Sequence, residues 1–234
     1  MSNAELSSPP IPPLVEGDRL TAAEFERRYL AMPHVKKAEL IEGVVHMPSP
    51  VSATDHGIPH TIVGHWAAAY WLATPGTQAA TDSTVRLDTS NTPQPDMTLF
   101  VLPSHGGRVR ISTDGGYIED APELVIEVAA SSASHDTNAK LRVYQRCGVR
   151  EYVVWRVEKK QVDWHVLRGK KFDRLAPTAA GLLCSEAFPG LWLDTSALLA
   201  GDYISVMATL QRGIADAAHA AFVAELKSRA GQTP

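Results

Sequence analysis

An α/β fold with one mixed β-sheet between helices is predicted for this chain of 234 residues. The segment 124–129 is apolar apart from Glu127, a pattern typical of a central strand that is covered on both faces. Between residues 56 and 72, apolar side chains recur at helical spacing, which predicts a long helix packed on a sheet. The order of signals is hairpin, helix, strands, helix, strands, and this order indicates a mixed sheet with helices on both faces.

The chain divides into three segments. Residues 1–19 contain four prolines and are expected to form a flexible N-terminal arm. Residues 20–195 carry the strand and helix patterns and are expected to form one folded domain, while residues 196–234 form a C-terminal helical extension. A composition of 44% hydrophobic and 21% charged residues is typical of such a globular domain.

Charge and cysteine content narrow the class of protein. A net charge of −4 counts against a dedicated nucleic-acid-binding protein, because neutralising phosphates needs a surplus of lysine and arginine. No run approaches the about 18 consecutive apolar residues of a membrane span, so no membrane association is expected. Cys147 and Cys184 are too few for a disulfide framework, which favours the reducing cytoplasm.

The first elements have clear boundary signals. Thr21 and Glu24 form a capping-box pattern, which predicts a helix over 21–31. Two short apolar segments then flank Glu42-Gly43, and this predicts a tight hairpin over 38–47 in which the glycine takes the strained turn conformation.

The later elements follow from the same periodicities. A helix over 136–147 is expected to end at Gly148, and a terminal helix should run from about Val206 to near Arg229. A polar, glycine-rich loop is expected over 104–116. Further strands are predicted over 81–87, 97–102, 151–157, 162–167 and 172–175.

Two acids and a lysine stand out as candidate site residues. Asp96 follows Pro95 at the start of a strand, and Glu127 is the only polar side chain in its apolar run. Lys140 lies on the helix that follows the Glu127 strand, within reach of the strand end. Hydrolysis of a phosphodiester needs a metal ion, an activated water and a cation that stabilises negative charge, and carboxylate oxygens are the ligands that Mg²⁺ prefers.

A purely structural interpretation of the same residues stays open. Burying an unpaired carboxylate costs several kcal/mol, so Glu127 needs a cation or donors nearby. Lys140 could supply that charge as a structural ion pair under the sheet, with Asp96 capping a turn.

Other residues that could carry chemistry have weaker support. His56 and His60 lie one helical turn apart and would suit zinc, but no third ligand is evident nearby. A basic stretch over 156–174 suggests either a binding patch or a solvated hairpin face. Trp66 and Trp71 are expected in the core. Without a Gly-x-Ser-x-Gly elbow, the serines after the Glu127 strand are better explained as helix caps: Ser131, Ser132 and Ser134.

Several sequence strings together resemble the Uma2 family, a group of bacterial proteins with a restriction-endonuclease-like fold. The resemblance covers about residues 20–195. The strings are Thr21-Ala22-Ala23-Glu24-Phe25, Glu39-Leu40-Ile41-Glu42-Gly43-Val44-Val45, His56, Pro95-Asp96, Pro122-Glu123-Leu124-Val125-Ile126-Glu127-Val128, Asp136 with Lys140 and Tyr144, and Gly148-Val149-Arg150-Glu151-Tyr152-Val153-Val154.

This resemblance implies a nuclease core of the PD-(D/E)xK type, with Asp96 as the first acid and Glu127 as the second. In the wider nuclease superfamily the lysine stands two residues after the second acid, where this chain has Ala129. The resemblance assigns the catalytic role of that lysine, which is to position water or stabilise negative charge, to Lys140 instead. It also adds Glu39 as a third acid that completes the metal shell.

The resemblance also implies supporting residues, a cofactor and partners. His56, Asp136 and Tyr144 match family positions around the site. The implied activity is hydrolysis of nucleic acid, with DNA the expected substrate and Mg²⁺ or Mn²⁺ the cofactor. A homodimer is expected, because domains of this size often pair to cut two strands and the terminal helix offers an apolar stripe. The alternative is a catalytically inactive nuclease fold that acts as a dimeric scaffold for nucleic acid or protein.

Overall fold

The computed structural model describes residues 10–47, 52–130 and 134–231, without the side chains of 134–137. Within these residues, the elements follow the predicted order of hairpin, helix, strands, helix, strands. The helices are α1 Ala22–Leu30, α2 Ile58–Ala73, α3 Ser134–Cys147, α4 Thr195–Ala200, α5 Tyr203–Ile214 and α6 Ala217–Ala230. The strands are β1 Glu39–Ile41, β2 Val44–His46, β3 Thr77–Thr81, β4 Val85–Arg86, β5 Met97–Val101, β6 Arg110–Ile111, β7 Ile118–Glu119, β8 Leu124–Ala129, β9 Glu151–Arg156, β10 Gln161–Arg168, β11 Lys171–Arg174, β12 Leu182–Cys184 and β13 Trp192–Asp194.

A six-stranded mixed sheet forms the centre of the described structure. Its strand order is β11-β10-β9-β8-β5-β3, in which β8 and β9 are parallel and the other neighbours are antiparallel. Every residue of β5 and β8 is buried, because helices and the N-terminal hairpin cover both faces of the sheet centre. The predicted mixed sheet between helices is therefore confirmed.

Strand register brings the two predicted acids together. Met97 of β5 is paired with Ile126 of β8, so Asp96, one residue before β5, lies opposite Glu127. Directly opposed residues of an antiparallel pair point to the same face of the sheet. That face also carries Val125 and is covered by α3.

The main hydrophobic core lies on the other face, between the sheet and α2. Trp66 of α2 is 2% exposed and packs edge-on against Trp164 of β10, with ring centroids 6.0 Å apart. Val206 and Leu210 of α5 belong to the same core. The core position predicted for Trp66 is confirmed, and Trp71 packs against the same cluster. None of the helices in the described part of the chain has the length and hydropathy of a membrane span.

The N-terminal helix and hairpin form as the sequence predicts. The Thr21 hydroxyl accepts a hydrogen bond from the backbone N–H of Glu24 at 3.3 Å and so caps α1. Gly43 takes a φ of 74° in the hairpin turn. The chain already contacts this hairpin before residue 20, since Leu14 is 4% exposed and the N–H of Gly17 donates to the carbonyl of Val45 at 2.9 Å.

The prediction of one continuous strand over 81–87 is wrong, because this segment holds the end of β3 and all of β4. The chain pairs with β5 earlier, over Thr77–Thr81, and then turns at Asp82, whose φ is 47°. Val85–Arg86 instead joins a separate three-stranded sheet with β7 and β6, and β6 lies inside the segment predicted as a loop. The prediction failed because Thr77–Thr81 contains alanine and polar residues, which give a weak strand pattern.

The single terminal helix predicted over about 206–229 is also wrong. The chain forms α5 and α6 with a break at Ala215 and Asp216. The Asp216 carboxylate accepts from the N–H of Ala218 at 2.8 Å and caps α6. Apolar spacing continues through the break, because both helices pack on the same domain, so periodicity alone missed it.

A buried carboxylate ties the end of the sheet to the segment after β12. Glu151 is 0% exposed, and its oxygens accept from the Trp164 indole at 3.1 Å and the Ser185 hydroxyl at 2.7 Å. The backbone N–H groups of Glu186 and Ala187 donate to it at 2.6 and 2.8 Å. One side chain therefore satisfies four donors, three of them buried.

We expect Glu151→Ala to lower the free energy of unfolding by about 2–4 kcal/mol, because buried donors left without an acceptor are costly. Glu151→Gln keeps the shape and one acceptor oxygen, so its loss should be smaller. Urea unfolding followed by tryptophan fluorescence measures both. Glu158→Ala, in the exposed β9–β10 turn, is the control and should change stability by less than about 0.5 kcal/mol. A Glu151→Ala loss no larger than that of the control would contradict this assignment.

Candidate active site

The Asp96 carboxylate is fixed at the boundary between β5 and β8. Its side chain is 2% exposed, and its Oδ2 accepts from the backbone N–H of Val128 at 2.7 Å. Pro95 limits the backbone just before it, as the sequence predicts. The first predicted acid is thus anchored to the strand that carries the second.

Lys140 bridges the other two predicted acids. Its Nζ lies 2.9 Å from Oε1 of Glu127 and 2.9 Å from Oε1 of Glu39. Tyr144, one turn further along α3, donates its hydroxyl to the same oxygen of Glu127 at 3.1 Å. The Glu39 oxygen also accepts from the backbone N–H of Gln94 at 2.7 Å. The structure therefore brings the predicted residues of β1, β8 and α3 together.

A second lysine, which the sequence did not indicate, contacts Asp96. The Nζ of Lys37 lies 3.3 Å from Oδ1 of Asp96 and 3.4 Å from Oδ1 of Asp82. Lys37 lies two residues before Glu39, so the period-two alternation of an extended chain was the available signal for placing both on one face. Asp82 had no such signal, because it lies in a turn between two strands.

Two histidines complete the cluster around Asp96. The Nε2 of His56 lies 3.5 Å from Oδ1 of Asp96, and its Nδ1 lies 3.2 Å from the carbonyl oxygen of Val128. His60 places Nε2 3.0 Å from the Asp96 carbonyl oxygen and 3.4 Å from Oδ2 of Asp82. The two rings stack at 5.6 Å, so they share a face as their spacing predicts.

Burial and charge together determine protonation in this cluster. Burial raises the pKa of Glu127 to about 7. The positive charge of Lys140 lowers this pKa, and the negative charges of Asp96 and Glu39 raise it further. Burial disfavours the charge on Lys140, but Glu127 and Glu39 still raise its pKa well above the ordinary value. Burial also disfavours the charge on Lys37, but the nearby carboxylates, Asp96 foremost, raise its pKa above the ordinary value. Lys37 and Lys140 therefore keep their charges, and the raised pKa of Glu127 places its titration near neutral pH.

The oxygen-rich donors suit a hard divalent cation. The set predicted from the sequence is Asp96, Glu127 and Glu39, of which the two glutamates contact Lys140. In the described ranges, the ligand atoms that lie within 4.8 Å of one another belong to a different set: His60, Asp82 and Asp96. Asp96 belongs to both sets, and the predicted metal shell stays a prediction.

Some predicted residues lie outside what the structure describes. Asp136 is in α3, but its side chain is outside the described residues, as is that of Ser134. Ser131 and Ser132 lie in an undescribed segment. Their proposed roles in support or helix capping stay predictions.

The basic stretch over 156–174 forms the β9–β10–β11 hairpins, on which arginines pair with acids. Arg156 contacts Asp163 at 2.6 Å, and Arg174 pairs with the same carboxylate. Arg168 lies 3.7 Å from Asp173. These arginines have acidic partners, which favours the hairpin-face interpretation over a binding patch.

The sequence model of the Uma2 family, described as "Putative restriction endonuclease", matches residues 22–196. The chain belongs to the Uma2 family. The fold also resembles the crystal structure of a "putative nuclease belonging to DUF820" from Anabaena variabilis ATCC 29413, with a TM-score of 0.51 and 16% sequence identity. That likeness covers 74% of this chain and 97% of the other. No curated protein sequence matches. The predicted family and restriction-endonuclease-like fold of this Uma2 protein are confirmed.

We expect Glu127 to contribute stability to the metal-free Uma2 protein that is lost as pH rises from about 4.5 to about 7. The folded state keeps the Glu127 proton up to a pKa of about 7, whereas the unfolded state loses it near 4.5, so the folded state binds more protons in this window. At about 1.4 kcal/mol for each pKa unit, the loss from this group is about 3 kcal/mol.

Glu127→Gln removes this titration and is the matched variant. Urea unfolding in EDTA, repeated across the pH window, should show the stability difference between the two proteins moving in favour of the variant as pH rises. Parallel pH profiles for the two proteins would contradict the raised pKa.

Proposed function

We propose that this Uma2 protein is a metal-dependent nuclease that hydrolyses phosphodiester bonds of nucleic acid, with DNA as the expected substrate and Mg²⁺ or Mn²⁺ as the cofactor. The observation that carries the proposal is the position of Asp96 opposite Glu127 on one face of the central sheet, with two ammonium groups beside them. Buried acids and cations gathered at one point of a fold supply the groups that phosphodiester hydrolysis needs.

In this proposal, Asp96 and Glu127 hold the cation and Glu39 completes its shell. When bound, the cation would supply Lewis acidity toward a phosphate oxygen and the attacking water. Lys140 and Tyr144 hold the Glu127 carboxylate in place. His56 contacts the Asp96 carboxylate through Nε2 and helps to hold that acid in place. These contacts orient the acids before any substrate arrives.

The exposure of the side chains indicates the side from which substrate approaches. Asp82 is 52% exposed and Lys37 is 26% exposed, whereas Lys140 and Glu127 are about 10% exposed. A phosphate therefore meets the Lys37 and Asp82 side of the cluster first. Lys140 reaches substrate only if it releases one of its two carboxylate contacts.

We expect purified protein to cleave plasmid or short DNA or RNA in Mg²⁺ or Mn²⁺, and Asp96→Asn to slow cleavage at least about 100-fold, since several kcal/mol of charge stabilisation are lost. Asp163→Asn is the matched control, because Asp163 is also buried at 5% exposure and paired with arginines on the sheet. The control should retain activity. Equal cleavage by wild type and Lys140→Ala would reject the role of Lys140, and equal cleavage by Asp96→Asn would reject the site.

A second candidate function is a catalytically inactive scaffold that binds nucleic acid or protein. Its support is the position of Lys140, 2.9 Å from both Glu39 and Glu127, which is the geometry of a structural ion network. Calorimetry without a heat of Mg²⁺ or Mn²⁺ binding, together with Asp96→Ala more stable than wild type, would favour this candidate. Metal-dependent turnover would eliminate it.

We also propose that the protein is a homodimer in the cytoplasm. Two copies would cut two strands, and Ile204 of α5 is 86% exposed, whereas Val206 and Leu210 pack on the protein's own core. The two free cysteines support the reducing compartment. The division into arm, domain and extension at residues 19 and 195 stays a prediction.

Light scattering at micromolar concentration should give twice the chain mass of 25.3 kDa. Dilution should shift the mass downward, because association depends on protomer concentration. A constant 25.3 kDa across the series would refute the dimer.

A further inference from the structure

Nitrogen and oxygen atoms of types that bind metal ions lie together on the side of the site that includes the exposed Asp82, apart from the Glu39–Glu127–Lys140 network. Ligand atoms of His60, Asp82 and Asp96 all lie within 4.8 Å of one another. One imidazole nitrogen and two carboxylates are donors that suit a divalent transition metal.

Three separate elements fix these donors in place. His60 is on the first turn of α2, and its Nε2 lies 3.4 Å from Oδ2 of Asp82. Asp82 is in the turn after β3, and its backbone N–H donates to the carbonyl oxygen of Asp96 at 3.3 Å. Asp96 is itself anchored to Val128 of β8. The donors therefore converge through backbone contacts as well as through side chains.

The protein's own cation already lies between the two carboxylates. The Nζ of Lys37 is 3.4 Å from Asp82 and 3.3 Å from Asp96. This ammonium shows that the point between the acids attracts positive charge. Lys37 has a long flexible side chain that is 26% exposed, so it can turn toward solvent without disturbing the core.

We propose that His60, Asp82 and Asp96 form a divalent-metal subsite, and that the Lys37 ammonium is the cation that the metal displaces from it. The subsite prefers Mn²⁺ to Mg²⁺, because imidazole binds Mn²⁺ more readily and Mg²⁺ favours oxygen ligands and water. The inference rests on the proposed nuclease function only for the catalytic use of the metal. Metal binding itself is independent of that function.

Metal binding changes the hydrogen bonding of His60. Its Nε2 now lies 3.0 Å from the carbonyl oxygen of Asp96. As a ligand, the ring must be neutral and must turn the Nε2 lone pair to the metal, which leaves its hydrogen on Nδ1. The contact with the Asp96 carbonyl is then exchanged for the metal bond.

The test is a titration of wild type and single variants with Mn²⁺ alone. Electron paramagnetic resonance measures the free Mn²⁺ at each point. His60→Gln and Asp82→Asn should weaken Mn²⁺ binding by about tenfold or more. Lys37→Gln should tighten Mn²⁺ binding several-fold, because the competing ammonium is gone. Calorimetry with Mg²⁺ should show a smaller change for His60→Gln than the Mn²⁺ titration shows.

The controls are Asp173→Asn and Lys171→Gln, an exposed acid and an exposed lysine on β11, which should bind Mn²⁺ as wild type does. Thermal unfolding shows whether each variant is folded. Wild-type affinity in both His60→Gln and Asp82→Asn would overturn the subsite, as would a wild-type protein that binds no Mn²⁺. Weaker Mn²⁺ binding by Lys37→Gln would overturn the proposal that the metal displaces the Lys37 ammonium.

Cleavage assays on the same preparations separate this inference from the proposed function. DNA cleavage by wild type, with unchanged Mn²⁺ affinity in the subsite variants, would reject the subsite and leave the nuclease in place. The expected pattern of Mn²⁺ affinities without cleavage would support the subsite and reject the nuclease.

Discussion

The ionic bridge made by Lys140 is the contact on which the arrangement of the site depends. It joins Glu39 of the N-terminal hairpin to Glu127 of the central sheet, and it does so from α3. A two-stranded hairpin is marginal alone, and a buried carboxylate without a partner costs several kcal/mol. Hairpin, sheet and helix therefore stabilise one another, since removing Lys140 leaves two buried carboxylates without the cation that they share. This mutual dependence holds whether or not the site is catalytic.

Local patterns predicted the parts of the fold and site that depend on neighbouring residues. The bounds of β8 and the positions of Asp96 and Glu127 along the chain follow from a short apolar run and a proline, and the strand register then places these acids opposite each other. Lys37 and Asp82 were missed because they meet Asp96 from a strand entry and a turn that are distant in sequence. Strand register and turn conformation bring them together: the two-residue spacing from Glu39 was the one signal for Lys37, and the turn that holds Asp82 leaves no periodic signal.

The C-terminal helices show the same limit of sequence patterns. Their apolar spacing predicted helix but not the break at Asp216. It also suggested an apolar surface available to a partner chain, whereas Val206, Leu210 and Leu226 pack on the domain's own core. Close packing also requires a glycine at one position of α5, which the apolar pattern does not indicate. A Cβ at Gly213 would lie 2.2 Å from the carbonyl oxygen of Gly190, so α5 can approach that segment only through a glycine.

The absence of a lysine two residues after Glu127 has a physical explanation in the packing of the sheet. Ala129 occupies the position two residues after Glu127 and is buried with Val125, Tyr144 and Tyr152 beneath α3. A lysine there would have to bury its chain in that cluster, at the cost of overpacking. Lys140 places an ammonium 2.9 Å from the same carboxylate without that cost. A carboxylate responds to the position of a charge and not to its place in the sequence, so the ion pair can form with the lysine on α3.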